Sequence, residues 1–129
     1  MKLRNFVFIF AAMFTFVATS LVSAQEAAPT HMVEIIDLKS GKTIKDVQEY
    51  FRRVNPVVNK YGAYNTGMYA VTDPADQGKT KKVAIIWRFK DMRKLPQIFQ
   101  DDNYTRHVAF RDSIMNLQGR TQLLGMKVE

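Results

Sequence analysis

Val83-Ala84-Ile85-Ile86-Trp87-Arg88-Phe89 is the run on which the fold turns. Its residues are β-branched, aromatic or small, with a single charge, as in a strand. Val83, Ile85, Trp87 and Phe89 would line one face, and Ala84, Ile86 and Arg88 the other. A strand apolar on both faces belongs inside a sheet, with a cover on each side. It also carries the only tryptophan of the chain.

Just upstream, residues 63–72 read as another strand, with Gly67 suited to a bulge. A polar loop over 73–82, with Pro74, Gly78 and three lysines, returns the chain as a hairpin. Residues 31–38 read as a first strand. Met32, Ile36 and Leu38 share one face with Glu34, while Val33 and Ile35 take the other. Ser40-Gly41-Lys42 is a turn. Thr43 opens a helix, with Asp46 three residues on in a capping-box arrangement. Ile44, Val47, Phe51, Val54, Val58 and Tyr61 recur at helical spacing, and Gly62 is placed to cap the end. Pro56 removes a backbone donor and predicts a kink near 52–55 in one bent helix. Asp91 caps a second helix with Met92, Leu95, Ile98 and Phe99 on its apolar face, and Pro96 within its first turns would let the helix start a little later than Asp91 suggests. After a break at Asp101-Asp102-Asn103, a further helical piece is expected over about 104–117, ended by Gly119. Residues 121–128 alternate as a last strand, Gln122, Leu124, Met126 and Val128 against Thr121, Leu123, Gly125 and Lys127.

The order β-α-β-β-α-β is the ferredoxin-like pattern: an α+β fold with a four-stranded antiparallel sheet and helices on one face. The first and third strands should be central neighbours. The second face of the sheet also looks apolar and needs a cover, for which a second copy of the chain, a homodimer, is the simplest candidate.

The N-terminal segment has the form of a signal peptide. Lys2 and Arg4 precede an apolar run, and Val22-Ser23-Ala24 offers small residues for cleavage after Ala24. The alternative is an uncleaved anchor, since the run approaches the roughly 20 residues that span a bilayer. The expected organisation is a signal peptide over 1–24, a tether over 25–30 and one ferredoxin-like domain over 31–129. The expected location is outside the cytoplasm, in a bacterial periplasm, with no stable membrane insertion after cleavage. Removing Lys2 and Arg4 takes the formal net charge from +7 to +5. A moderate positive balance points to anionic surfaces or small acidic ligands rather than to nucleic acid. Lys79, Lys81 and Lys82 lack the interleaved aromatics of a single-strand binder. The absence of cysteine excludes disulfides, thiol chemistry and a lipoprotein anchor.

Several short motifs carry a resemblance. Glu49-Tyr50-Phe51, Asn55-Pro56 and Lys60-Tyr61-Gly62 resemble the first helix and its exit in the dimeric α+β-barrel superfamily, in its uncharacterised branch known as domain of unknown function thirteen-thirty. Trp87-Arg88-Phe89, Asp91, Asp102-Asn103-Tyr104 and Arg111-Asp112 resemble the second half of that domain. The resemblance covers about 32–128. It departs where a second glycine and a basic residue would follow Tyr61-Gly62 and Ala63-Tyr64-Asn65 stand instead, and in the lysine-rich 73–82 loop. It implies a homodimer whose two sheets pack into one barrel, with a cavity between each sheet and its helices. The superfamily includes cofactor-independent monooxygenases, haem-degrading enzymes and members of unknown activity.

The residues that could carry chemistry are few. His107 is expected on one side of a helix with Asn103, Tyr104 and Arg111, where it could act as a proton acceptor or, as a side branch, a haem ligand, or be merely structural. Tyr64, Trp87, Tyr104 and Arg111 are the expected ligand-binding set, with core packing as the alternative for the aromatics. Arg88 would lie at solvent, pair with a carboxylate or meet an anionic ligand. His31 and His107 with scattered carboxylates make no metal-ligand spacing, and neither a metal nor a cofactor is expected. There is no phosphate-binding glycine loop, no Ser/His/Asp arrangement and no evident carboxylate dyad. Three functions remain open: a pocket for a small planar or anionic ligand, a cofactor-independent monooxygenase acting on an aromatic compound through His107, and a structural or partner-binding dimer.

Overall fold

The computed structural model describes residues 30–126 and Val128. The expected signal peptide and nearly all of the tether lie outside the described residues, as do Lys127 and Glu129. Four strands form one antiparallel sheet: β1 (Thr30–Leu38), β2 (Ala63–Thr72), β3 (Thr80–Phe89) and β4 (Met115–Met126). The order across the sheet is β2-β3-β1-β4, which places β3 and β1 centrally as expected. The helices are α1 (Ile44–Lys60), α2 (Leu95–Gln100), α3 (Asp102–Thr105) and α4 (Val108–Ile114), with 3₁₀ turns at Pro74–Asp76 and Met92–Lys94. This is the expected α+β architecture, with the helices on one face of the sheet.

At the start of α1 the Thr43 backbone N–H donates to Asp46 Oδ2 at 2.8 Å, which satisfies an otherwise orphan donor. The helix buries Val47, Tyr50, Phe51, Val54, Val57 and Val58 and runs unbroken through Pro56. Gly62 follows at φ +77°, where a β-carbon is costly. The core lies between α1 and the inner faces of β1 and β3, with Ile36, Val47, Val83, Ile85 and Ile114 almost wholly enclosed. Fully burying a side chain of this size contributes about 1.5–3 kcal/mol.

Two boundaries differ from the sequence expectation, and a third falls where Pro96 put it. β3 begins at Thr80 rather than Val83, because Lys82 and Thr80 pair with Val71 and Thr72 of β2. Lys81 and Lys82 therefore project from a strand, with ion pairs to Asp76 at 3.0 Å and Asp37 at 3.2 Å. Asp91 caps a 3₁₀ turn, accepting from the Arg93 N–H, and α2 starts at Leu95, the later start that Pro96 suggested. The helical piece expected over 104–117 is interrupted after Thr105 and stops at Ile114. Met115 and Asn116 instead pair with Leu38 and Asp37, so β4 starts six residues before Thr121. Strand pairing outweighs the helical spacing of Ile114, Met115 and Leu117 there. A register shift between Ile35 and Asp37 lets the long β4 follow β1, and one between Asn65 and Gly67 marks the bulge expected in β2.

The second face of the sheet can be read off as four rows across β2-β3-β1-β4. They are Tyr64-Arg88-His31-Gly125, Gly67-Ile86-Val33-Leu123, Tyr69-Ala84-Ile35-Thr121 and Val71-Lys82-Asp37-Asn116. The two middle rows are mainly apolar and the outer two carry the charges. Tyr69 and Leu123 are 61% and 57% exposed. Tyr69 folds its ring over Gly67, 3.1 Å from where a β-carbon would stand.

Candidate functional site

Opposite that face, between the sheet and its helices, lies a cavity of about 70 Å³. Most of its wall is core: Ile36, Val54, Ile85, Phe89, Ile98 and neighbours from all four strands and helices α1 to α4. Into this apolar wall the chain sets a cluster of polar side chains.

Glu34 lies on the inner face of β1 between Met32 and Ile36 and is 9% exposed. A buried carboxylate needs compensation, and three groups supply it. Trp87 Nε1 donates to Oε2 at 3.0 Å. Gln122 Nε2, directly opposite on β4, donates to Oε1 at 2.8 Å. Arg120 stands with Nε 3.6 Å from the same Oε1. Arg111, only 5% exposed, enters from α4. Its Nε donates to Asp112 Oδ1 at 3.0 Å, and its NH1 donates to the Tyr104 hydroxyl at 3.1 Å. Burial disfavours the charged guanidinium, but Tyr104, Tyr50 and Asp112 more than offset this and hold its pKa above the usual arginine value. Arg120 is shifted the other way, by burial first and by the like charge of Arg111, with Glu34 in partial opposition. Burial, with Tyr104 beside it, pushes the Tyr50 phenol well above its ordinary pKa, so it is a neutral hydroxyl at any physiological pH.

Of the expected ligand-binding set, Trp87, Tyr104 and Arg111 line this cavity. Tyr64 does not join them. It projects from the opposite face of the sheet, where Arg88 and Lys90 lie 5.1 Å and 5.6 Å from its ring. Arg88 thus stacks on an aromatic on the outer face. His107 is also outside the lining residues. It stands at the break after Thr105, as the N-cap residue of α4, with no cap bond from its side chain. Burial, then the nearby charges of Arg53 and Arg106, lower its pKa below the ordinary histidine value. Glu34, Tyr50, Arg120 and Gln122 complete the cluster. For Glu34 the signal was present in the sequence, as one acid on an otherwise apolar strand face. Arg120 was hidden by the misplaced start of β4.

The cluster places two guanidinium groups and two phenol hydroxyls beside a single carboxylate in an otherwise apolar wall. Among the described residues no group of three or more His, Asp or Glu side chains could hold a metal ion. No described helix is long and apolar enough to cross a membrane. The cavity has less than half of the roughly 150 Å³ of an apolar cavity that admits benzene.

No family profile matches the chain, and no curated protein matches its sequence. Solved structures do match its fold. A NIPSNAP domain protein from Burkholderia xenovorans is 12% identical, with 77% of this chain and 94% of that one covered at a TM-score of 0.59. A protein of unknown function from Rhodopseudomonas palustris is 13% identical over 80% and 85%, with a TM-score of 0.58. SnoaB, a cofactor-independent oxygenase from Streptomyces nogalater, is 9% identical over 80% and 96%, with a TM-score of 0.55. The NIPSNAP and SnoaB-like neighbours belong to the dimeric α+β-barrel superfamily. At these identities the likeness is one of fold, and fold alone carries no activity.

Proposed function

We propose that this is an exported, homodimeric α+β-barrel protein of the domain of unknown function thirteen-thirty type, which holds a small planar or anionic ligand between its sheet and helices. The observation that carries the reading is the Glu34-Arg111-Arg120 cluster set into an otherwise apolar cavity. Polar groups are costly in such a place and serve best where they meet a ligand. Export rests on the form of residues 1–24 and dimerisation on the apolar middle rows of the outer sheet face.

The test is native mass spectrometry of protein recovered from the periplasm of cells expressing the full chain. Bound mass on a dimer supports the reading. A bare dimer whose Trp87 fluorescence responds to no small-molecule probe supports the third reading, a structural or partner-binding dimer.

A second reading is a cofactor-independent oxygenase acting on an aromatic compound, favoured by the fold likeness to SnoaB. Two observations weigh against it: the cavity has less than half of the roughly 150 Å³ of one that admits benzene, and His107 does not line it. Oxygen consumption with an aromatic substrate, abolished by His107→Ala, would establish it.

A further inference from the structure

The last strand leaves the fold at an apolar tip. The large hydrophobic side chains exposed among the described residues are Tyr69, Leu123, Leu124, Met126 and Val128. Tyr69 lies over Gly67, and Leu123 stands in the outer-face rows beside Val33. The other three serve neither the core nor that face. Leu124 and Met126 pair with Met32 and Thr30 on the helix side of β4, at 37% and 46% exposure. Val128, beyond the strand, is 91% exposed. Single apolar residues on a surface are ordinary, but several gathered at one end of an edge strand mark a contact surface.

The unpaired charges at the same end are of one sign. Thr30, the partner of Met126, also pairs with Phe89, so the turn over 90–94 leaves β3 beside the tip. Lys90 and Lys94 on that turn are exposed. Arg88 and Lys90 have the Tyr64 ring as their contact and no carboxylate among the described residues. The nearby acids Asp91 and Asp101 are spent on Arg93 and Lys60. At the opposite end of the sheet Lys81 and Lys82 are paired with Asp76 and Asp37, and no large hydrophobic side chain is exposed there among the described residues.

A second copy is a poor occupant for this tip, because a two-fold axis through it would set Arg88, Lys90 and Lys94 against themselves. An anionic lipid surface supplies the opposite charge, and its headgroup layer takes up apolar side chains. The attachment of the N-terminal segment agrees. The apolar run expected over 6–22 joins Thr30 through residues 23–29, a reach of at most roughly 25 Å. While that run is held in a bilayer, this end of the fold is the one kept near the surface. We infer that the tip formed by Leu124, Met126 and Val128, ringed by Arg88, Lys90 and Lys94, docks on the surface of an anionic bilayer. The association is peripheral: the apolar side chains enter the headgroup layer and the cations meet its acidic groups. It is independent of the cavity, and rests on the reading of export only for the leaflet that is met.

The full chain is expressed and its soluble form purified from whichever compartment holds it. It is spun with vesicles of phosphatidylcholine alone, and of phosphatidylcholine and phosphatidylglycerol at about two to one. The protein should sediment with the anionic vesicles, stay in solution with the neutral ones, and be released by about 0.5 M salt, which screens the attraction. Lys90→Glu combined with Lys94→Glu should weaken partition by about tenfold or more. Lys42→Glu combined with Lys79→Glu makes the same change of charge at the opposite end and should weaken it far less. Met126→Ser combined with Val128→Ser should weaken it by about tenfold. Circular dichroism checks that each variant folds, and Lys90→Gln with Lys94→Gln stands in should the charge reversal misfold. No sedimentation with anionic vesicles, equal losses in the two charge variants, or no loss on removing Met126 and Val128 overturns the inference. A wild-type dimer that Met126→Ser with Val128→Ser turns into a monomer in sedimentation velocity also overturns it, and gives the tip to a second copy. Absence of the protein from the periplasmic fraction counts against export and leaves the vesicle result to decide the docking.

Discussion

The indole of Trp87 donates to the carboxylate of Glu34 at 3.0 Å, joining the two central strands diagonally across the inner face of the sheet. The only tryptophan of the sequence is thus fixed against the only acid that lines the cavity among the described residues. Trp87→Phe keeps most of the apolar contact with Phe51 and Phe89 but removes this donor. A buried acceptor that loses a partner costs about 1–3 kcal/mol. Urea unfolding of Trp87→Phe, followed by circular dichroism, should show a loss in that range.

Glu34 and Arg120 form a buried pair, with side chains 11% and 7% exposed. Glu34→Ala should cost about 3–5 kcal/mol, because it strands a buried guanidinium. Glu34→Met combined with Arg120→Met should recover most of that loss, since apolar replacements of similar size tend to be tolerated at buried ion pairs. Parallel urea titrations of the single and double variants measure the coupling.

Gly62 and Gly78 both have positive φ, at +77° and +74°, but different surroundings. A β-carbon at Gly62 would stand 3.1 Å from Lys90 Cβ, whereas at Gly78 nothing lies within 4 Å. Gly78→Ala should therefore cost only the left-handed conformation, about 1–2 kcal/mol. Gly62→Ala should cost more, because the exit of α1 must shift against the end of β3. Thermal melts of the two variants give the order.

Asp101 ties the end of α1 to the start of α3. It accepts from the Tyr61 hydroxyl at 2.7 Å, from Lys60 Nζ at 3.2 Å and from the Asn103 N–H at 2.8 Å. The Tyr61 bond first, then the Asn103 N–H and Lys60, hold its pKa below the ordinary 3.8. A depressed carboxylate pKa stabilises the fold above its unfolded value, and that contribution is lost as pH falls through the folded value. Asp101→Asn should thus be less stable than wild type at pH 7. The gap should close as pH falls below 3.8, where wild type becomes protonated. Urea midpoints of both proteins across that range test the sign.

The strand order was legible because Val83 to Phe89 is apolar on both faces, and α1 because its stripe and its Thr43-Asp46 box agree. The second half was less legible for a physical reason. Ile114, Met115 and Leu117 fit a helical face as well as a strand, and only pairing with Leu38 and Asp37 decides between them. That ambiguity displaced the start of β4, and with it Arg120. The break after Thr105 also leaves His107 outside the cavity lining that holds Tyr104 and Arg111, which simple helical spacing placed together. Tyr64 was misgrouped for another reason: an aromatic on a strand announces burial or exposure poorly until the register assigns its face. Glu34 was visible as an acid among Met32, Ile36 and Leu38, but its partners come from strands distant in sequence.

The outer face of the sheet gives the last prediction. Its middle rows place Ile86, Val33 and Leu123 beside Ala84, Ile35 and Tyr69, bordered by Arg88 and His31 at one end and Lys82 and Asp37 at the other. An apolar centre with a charged rim is the anatomy of an interface core, and a second copy would meet it with the same surface. Ile86 lies in the middle of the patch and points away from the helix-side core. Ile86→Glu should therefore leave the helix-side packing and the circular dichroism spectrum intact while opposing two buried carboxylates across the dimer. Sedimentation velocity should show the wild type as a dimer and Ile86→Glu as a folded monomer. A wild-type monomer at the same concentration would remove the dimer from the proposal. It would leave the cavity untouched, because every side chain of the Glu34-Arg111-Arg120 cluster comes from one chain.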